Sequence, residues 1–233
     1  MYLFKFIVFF SFCSCSFFQN HLKARACDVA LLDWSPEYHC ISKLKLEGEF
    51  QKIPFHGPQS SQYLNTISRI KSTISKLPKE CREDLPDDYI YGPFLALSKY
   101  KKKTLLITSI REISTKLKNH FRSQNCTRVK TLSLIGHGRE GYISLGAGIE
   151  YDENGEISNE NKNLWKGIFK QLSGKVERTQ LVGCKTGRGE EGHKLVKSFS
   201  QILGCEVTAP IKGVSSSQDI FHLSKRERTT YGF

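Results

Sequence analysis

Several patterns that would announce a chemistry are missing from this chain. Among its eight cysteines no two stand at a C-x-x-C spacing, and its seven histidines include no H-x-x-x-H pair. That argues against a zinc ribbon, a thioredoxin-type redox site and any other metal centre. No G-x-S-x-G elbow is present, so a serine hydrolase built on that turn is not expected. Cys184-Lys-Thr-Gly-Arg188 places too few residues between Cys and Arg for a phosphatase loop, and Lys185-Thr186 lacks the glycine frame of a P-loop. Gly136-His-Gly-Arg-Glu-Gly141 satisfies G-x-G-x-x-G, but Tyr142-Ile-Ser-Leu145 alternates like a strand where a dinucleotide fingerprint would open a helix. No cofactor is therefore expected. Acidic residues are scarce: 23 Asp and Glu face 35 Lys and Arg, a formal charge of +12 that favours anionic surfaces without naming one. The basic residues are scattered, densest from Lys99 to Lys103, and form no stripe interleaved with aromatics, so no specific nucleic-acid partner is expected.

What is present begins with 233 residues, 39% of them hydrophobic, enough for one domain or one and a half with a buried core. Residues 1–20 carry one charge, Lys5, then a Phe-rich apolar run from Phe6 to Phe18, and end at Gln19-Asn20 before the basic His21 to Arg25. The run falls short of the ~20 residues of a membrane span and reads as an export signal peptide. Phe12-Cys13-Ser14-Cys15 is similar to a relaxed bacterial lipoprotein box with Cys15 as the lipidated residue, so contact with a membrane is expected only through such an anchor. Beyond the signal stand Cys27, Cys40, Cys81, Cys126, Cys184 and Cys205, an even set in a chain bound for a secreted, periplasmic or envelope location, where one or two disulfides are expected. Cys184 with Cys205 is one possible pair.

Residues 21–100 read as a mixed N-terminal extension, with short apolar pieces broken by prolines and one amphipathic helix over Ser60 to Leu77, ended by Pro78. From residue 101 to 233 the texture becomes a regular α/β alternation. Strands are expected at Thr104–Thr108, Thr131–Ile135, Val176–Val182 and Glu206–Ala209, and a hairpin from Tyr142 to Ile157 turning at Asn154-Gly155. Helices are expected from Ser109, capped with Glu112, then over Asn161–Leu172 and Gly189–Leu203.

Two polar residues close two of these apolar strands: His137 in Leu134-Ile-Gly-His-Gly138 and Cys184 in Leu181-Val-Gly-Cys184. The carboxyl ends of parallel strands are where catalytic groups collect, and a right-handed crossover would set these two strands side by side. A His beside a thiol can act as the base that makes it a nucleophile, helped by the helix N-terminus that follows Cys184. The Gly after His137 and the Cys184 amide could supply an oxyanion hole.

An apolar strand ending in His-Gly, followed about fifty residues later by one ending in a small residue and Cys, resembles the caspase-like cysteine peptidases, a group with caspases, gingipains, clostripain, separase, CHAT domains and toxin self-cleaving domains. The segments from His137 to Gly146 and Leu181 to Gly189 are most similar to bacterial members. The resemblance implies a three-layer α/β sandwich with a mainly parallel sheet, His137 as general base, Cys184 as nucleophile, and the Gly138 and Cys184 amides as oxyanion donors. It further implies a pocket from loops after the last strand, where Asp219 would select Arg or Lys and Lys212 an acidic residue. Gly183 departs from the Ala common before the caspase Cys. The expected function is an exported cysteine endopeptidase acting on peptide or protein substrates through an acyl-enzyme; the alternative is an inactive binding module of the same fold at a bacterial envelope or host surface.

Overall fold

The computed structural model describes residues 25–33, 47–56, 60–76, 79, 95–145, 155–214 and 219–232. The expected signal peptide at 1–20 with Cys15, the apolar piece around Ile41, Asn154 of the expected hairpin turn, and residues 215–218 lie outside the described residues. Among the described residues no helix is long and apolar enough to cross a membrane.

The chain is a mixed α/β structure compatible with a three-layer sandwich. Strands β1 (Ala26–Asp33), β2 (Thr104–Ile107), β3 (Arg128–Ile135), β7 (Val176–Val182), β8 (Glu206–Pro210) and β9 (Arg228–Tyr231) form a six-stranded sheet in the order β2-β1-β3-β7-β8-β9. Every pairing is parallel except that of β9 with β8. A second, three-stranded antiparallel sheet joins β4 (Gly138–Arg139), β5 (Tyr142–Ser144) and β6 (Glu156–Ser158). Helices α1 (Glu47–Lys52), α2 (Tyr63–Ile74), α3 (Ile113–Gln124), α4 (Lys162–Lys170) and α5 (Gly189–Leu203) are joined by a further helical segment at 95–100 and by 3-10 turns at Lys101–Lys103, Ile110–Glu112 and Ile220–His222.

Period-two alternation along the strands sorts the core into two layers. Val29, Leu31, Leu132, Leu134, Leu181 and Val207 join the apolar stripes of α3, α4 and α5 on one face. Ala30, Leu32, Ile135 and Val182 join Phe50, Ile53, Ile70, Ile74 and residues 95–97 on the other. In the larger layer Trp165 stacks on Phe199 at 4.4 Å between ring centroids, and Phe169 meets Phe199 edge-on at 5.1 Å. Such ring pairs contribute about 0.5–1.5 kcal/mol each beyond the area they bury. α5 ends where Gly204 takes a left-handed φ of 69°, and α3 where Asn125 does so at 52°.

Three expectations need correction. The boundary at residue 100 does not separate an extension from the α/β domain: β1 lies between β2 and β3, and α1, α2 and the 95–100 segment cover one face of the same sheet. The apolar run Val29–Leu32 is buried on both faces, which is how a central parallel strand differs from an alternating one. The Ser109/Glu112 cap is displaced by one residue. Ser109 Oγ accepts from the Arg111 amide at 3.3 Å and Glu112 accepts from the Thr108 amide at 2.6 Å, because a 3-10 turn at Ile110–Glu112 tightens the entry to α3. Finally, Cys184 and Cys205 are both free, and the disulfide joins Cys27 to Cys126 with Cα atoms 6.0 Å apart. Cys205 precedes β8 and Cys184 follows its parallel neighbour β7, so they lie at opposite edges of the sheet, on the order of 20 Å apart at ~3.3 Å per residue.

Polar bonds tie the layers. Gln180 Nε2 donates to Ser133 Oγ at 2.7 Å and to the Tyr100 hydroxyl at 3.2 Å, and its Oε1 accepts from the Ile220 amide at 3.2 Å. Burial holds the Tyr100 hydroxyl up at about 12, so it stays a neutral partner to this amide.

Two outcomes follow from these features. The disulfide closes a loop with a sequence separation of 99, so Cys27→Ser or Cys126→Ser is expected to cost about 4–5 kcal/mol in denaturant unfolding. Burial pushes the His120 imidazole below its ordinary range. The unfolded chain therefore binds that proton more readily, and stability falls as pH drops through the unfolded histidine range around 6.5. Thermal unfolding of His120→Gln between pH 7.5 and 5.5 is expected to show a shallower decline than the wild-type chain.

Candidate functional site

The site begins with register. β3 and β7 pair in parallel, with Ile135 opposite Val182, and the Gly136 amide donates to the Val182 carbonyl at 3.3 Å beyond the last pair. Two residues past the last pair on each strand, His137 and Cys184 stand at the same level of the sheet's carboxyl edge. Both residues are exposed. The connection between these two parallel neighbours runs through the small β4-β5-β6 sheet and α4.

Close backbone packing keeps the two strand ends together past the ladder. A Cβ on Gly138 would lie 2.7 Å from the Gly183 carbonyl carbon and 2.8 Å from the Gly183 Cα; one on Gly183 would lie 3.1 Å from the Gly138 Cα. The Thr186 Oγ1 stands still closer, 2.4 Å from a Cβ at Gly138 and 2.6 Å from one at Gly183, so the two glycine backbones pack on each other and on the Thr186 hydroxyl with no room for a side chain. This also accounts for the departure at Gly183 from the expected Ala: the methyl would lie 2.6 Å from the Thr186 Oγ1 as well as 3.1 Å from the Gly138 Cα.

The turn carrying Cys184 is held on two sides. Lys185 adopts a left-handed φ of 60°, a conformation uncommon for a non-glycine residue. Its amide donates to the Lys212 carbonyl at 2.9 Å, and that of Gly187 to the Pro210 carbonyl at 2.8 Å. On the other side Thr186, fully buried, donates its hydroxyl to the Tyr142 carbonyl at 3.0 Å, and its backbone carbonyl accepts the Gly141 amide at 3.1 Å. The Cys184 sulfur sits 3.6 Å from the Val214 carbonyl and donates to it.

The expected oxyanion donors have compatible surroundings. The Ser144 amide donates to the His137 carbonyl at 2.7 Å, which makes 137 and 144 a bonded pair of the β4-β5 arm. Pairs alternate in an antiparallel ladder, so Gly138 opposite Ile143 is a non-bonded pair and the Gly138 amide turns away from β5. Among the described residues the Cys184 amide is committed to no backbone acceptor. The expected help from a helix N-terminus is not there: α5 starts only at Gly189, its first turn already carries Glu190 and Glu191, and the field falls off within a turn.

The two expected pocket residues are otherwise engaged. Lys212 forms an ion pair with Glu227, and this contact with the ammonium, with Ser224 adding hydrogen bonds, holds the Glu227 carboxyl down at about 2. Lys212 does belong to the segment bonded to the Cys184 turn, through its carbonyl. Asp219 caps the 3-10 turn Ile220–His222, accepting from the Phe221 amide at 3.1 Å, with His222 at 3.5 Å from its other oxygen. Among the described residues no group of three or more His, Cys, Asp or Glu is arranged to hold a metal ion.

Sequence reasoning missed Asp33, which closes β1 on the same edge of the sheet and is 4% exposed. The signal was available: Asp33 ends an apolar run just as His137 and Cys184 do. Nothing within the run itself marks it as a strand of the sheet, since its pairing partners lie some seventy to a hundred residues further along the chain.

Residues 95–219, just over half of the chain, match the family described as a domain of unknown function, DUF4347, and the chain belongs to that family. No curated protein and no solved structure matches it.

The packing of the two strand ends is directly testable. Gly138→Ala and Gly183→Ala are each expected to lose about 1–3 kcal/mol by overpacking. Both are also expected to slow alkylation of the Cys184 thiol relative to Gly213→Ala, a position with nothing within 4 Å of the added methyl.

Proposed function

We propose that this member of the family is an exported, caspase-like cysteine endopeptidase that uses His137 and Cys184 as a catalytic dyad. The observation that carries the reading is the in-register closure of adjacent parallel strands by an exposed His and an exposed Cys, with Gly138 packed on Gly183. In this reading the peptide carbonyl lies against the rim. The Cys184 sulfur attacks the carbonyl carbon while His137 takes the thiol proton, and the amides of Gly138 and Cys184 receive the developing oxyanion. Collapse of the tetrahedral intermediate breaks the C–N bond, and His137 returns the proton to the departing amine. Water, deprotonated by His137, then hydrolyses the thioester and frees Cys184. The Cys27–Cys126 disulfide supports the export part of the proposal, because such bonds persist in oxidising compartments. Lipid attachment at Cys15 belongs to the same proposal.

One observation favours a second reading, an inactive binding module at a bacterial envelope or host surface. The Cys184 thiol is engaged with the Val214 carbonyl, as a capped rather than an attacking sulfur would be. Its partner would then be an acidic surface, drawn by the excess of basic residues.

Acyloxymethyl ketone probes bearing Asp, Arg, Lys, Asn or Leu beside the warhead separate the two. The peptidase reading expects labelling of Cys184 that is abolished in Cys184→Ala and slowed roughly 100-fold or more in His137→Ala. Absence of labelling by every probe, with mass spectrometry showing a free Cys184 thiol, would instead support the binding module.

A further inference from the structure

We propose that Asp33 is a positioning residue for His137, acting through Ser144; the role rests on the peptidase reading of the site. A carboxylate buried at the edge of a sheet is costly to keep without partners. One of its partners here is informative. Ser144 donates its hydroxyl to Asp33 Oδ2 at 2.6 Å, and the amide of the same residue donates to the His137 carbonyl at 2.7 Å. A single residue of β5 thus links a fixed carboxylate on β1 to the peptide group of His137.

Register and packing make that link short. β1 pairs with β3 with Leu32 opposite Ile135, so Asp33 stands level with Gly136, one residue before His137. A Cβ on Gly136 would come within 3.1 Å of the Asp33 Cβ and would collide with the Ser144 carbonyl, so Gly136 is the spacer that lets Asp33 and Ser144 close on the strand end. Asp33 and Ser144 are both buried, whereas His137 is exposed. The imidazole is thus carried at the surface by a backbone that is held from behind. Ser144 anchored by Asp33 fixes the His137 carbonyl, and with it the origin of the side chain that must reach the Cys184 sulfur. Asp33 touches neither substrate nor the reacting atoms in this scheme; it sets where the base stands.

The test measures labelling of Cys184 in the full chain against concentration of the best peptidyl acyloxymethyl ketone, which separates maximal rate from half-saturation. Asp33→Ala and Ser144→Ala are each expected to lower the maximal rate roughly 10- to 100-fold with half-saturation unchanged, the size of effect a small misplacement of a catalytic group produces. Asp33→Asn, which keeps an acceptor for the Ser144 hydroxyl, is expected to retain most of the rate. The double variant Asp33→Ala/Ser144→Ala is expected to fall no further than either single one, since both remove the same link. Losses that multiply in the double variant, or single variants that label at the wild-type rate, overturn the positioning role while leaving the peptidase reading intact. If Asp33→Ala does not fold, Ser144→Ala alone decides by the same split of rate from half-saturation. A wild-type chain that leaves Cys184 unlabelled overturns the peptidase reading and this role with it.

Discussion

Parallel pairing in register brings Asp33, Gly136-His137 and Gly183-Cys184 to one level at the carboxyl edge of three neighbouring strands. The other features of the site depend on that alignment. Because side chains alternate along a strand, a slip of one residue between β3 and β7 would send His137 and Cys184 to opposite faces of the sheet. The alignment is enforced by burial on both faces. Ile135 and Val182 lock into one core layer, and Leu134 and Leu181 into the other.

Past the ends of the strands the ladder stops, and a different force holds the geometry. Two chain segments approach through glycine, with Gly138 on Gly183 and Gly136 against Ser144 and Asp33. The surrounding hydrogen bonds tie the Cys184 turn to segments distant in the chain: Thr186 to Tyr142, Lys185 to Lys212, Gly187 to Pro210. Backbone-to-backbone packing is stiff, since it has no side-chain rotamers to relax. It places two exposed functional side chains on a rigid base, the arrangement that chemistry at a strand end needs.

Much of the second half of the chain was legible from pattern. β7 and α5 have the bounds their periodicity implies, and Gly204 stops α5 as expected. These elements are read easily because each carries a complete local code, an apolar stripe or run with its own terminator. Tyr142–Ser144 pairs with Glu156–Ser158 as a hairpin arm should. α2 is shorter than the stripe from Ser60 to Leu77 because residues 60–62 before it form a bend and turn and residues 75–76 after it a turn. β1 was not legible as part of the sheet. Its apolar run could equally have been an isolated piece of an extension, and only pairing with partners far along the chain, at Thr104 and Arg128, makes it a central strand. Asp33 was missed for that reason. Lys212 and Asp219 carry only the local signature of loop charges, and spacing alone does not reveal their partners, Glu227 and the Phe221 amide.

By itself the sequence determined the α/β class, the two strand ends bearing His137 and Cys184, and the unusual density of glycine around them. These are properties of local pattern, decided within a dozen residues by periodicity and backbone freedom. The tertiary structure alone decided that β1 inserts beside β3, that Cys27 joins Cys126 while Cys184 and Cys205 stay apart, and that Ser144 ties Asp33 to His137. Each of these joins residues distant in the chain. Such contacts form because burial of the whole sheet stabilises them together, and no local segment carries the information on which distant partner it will meet.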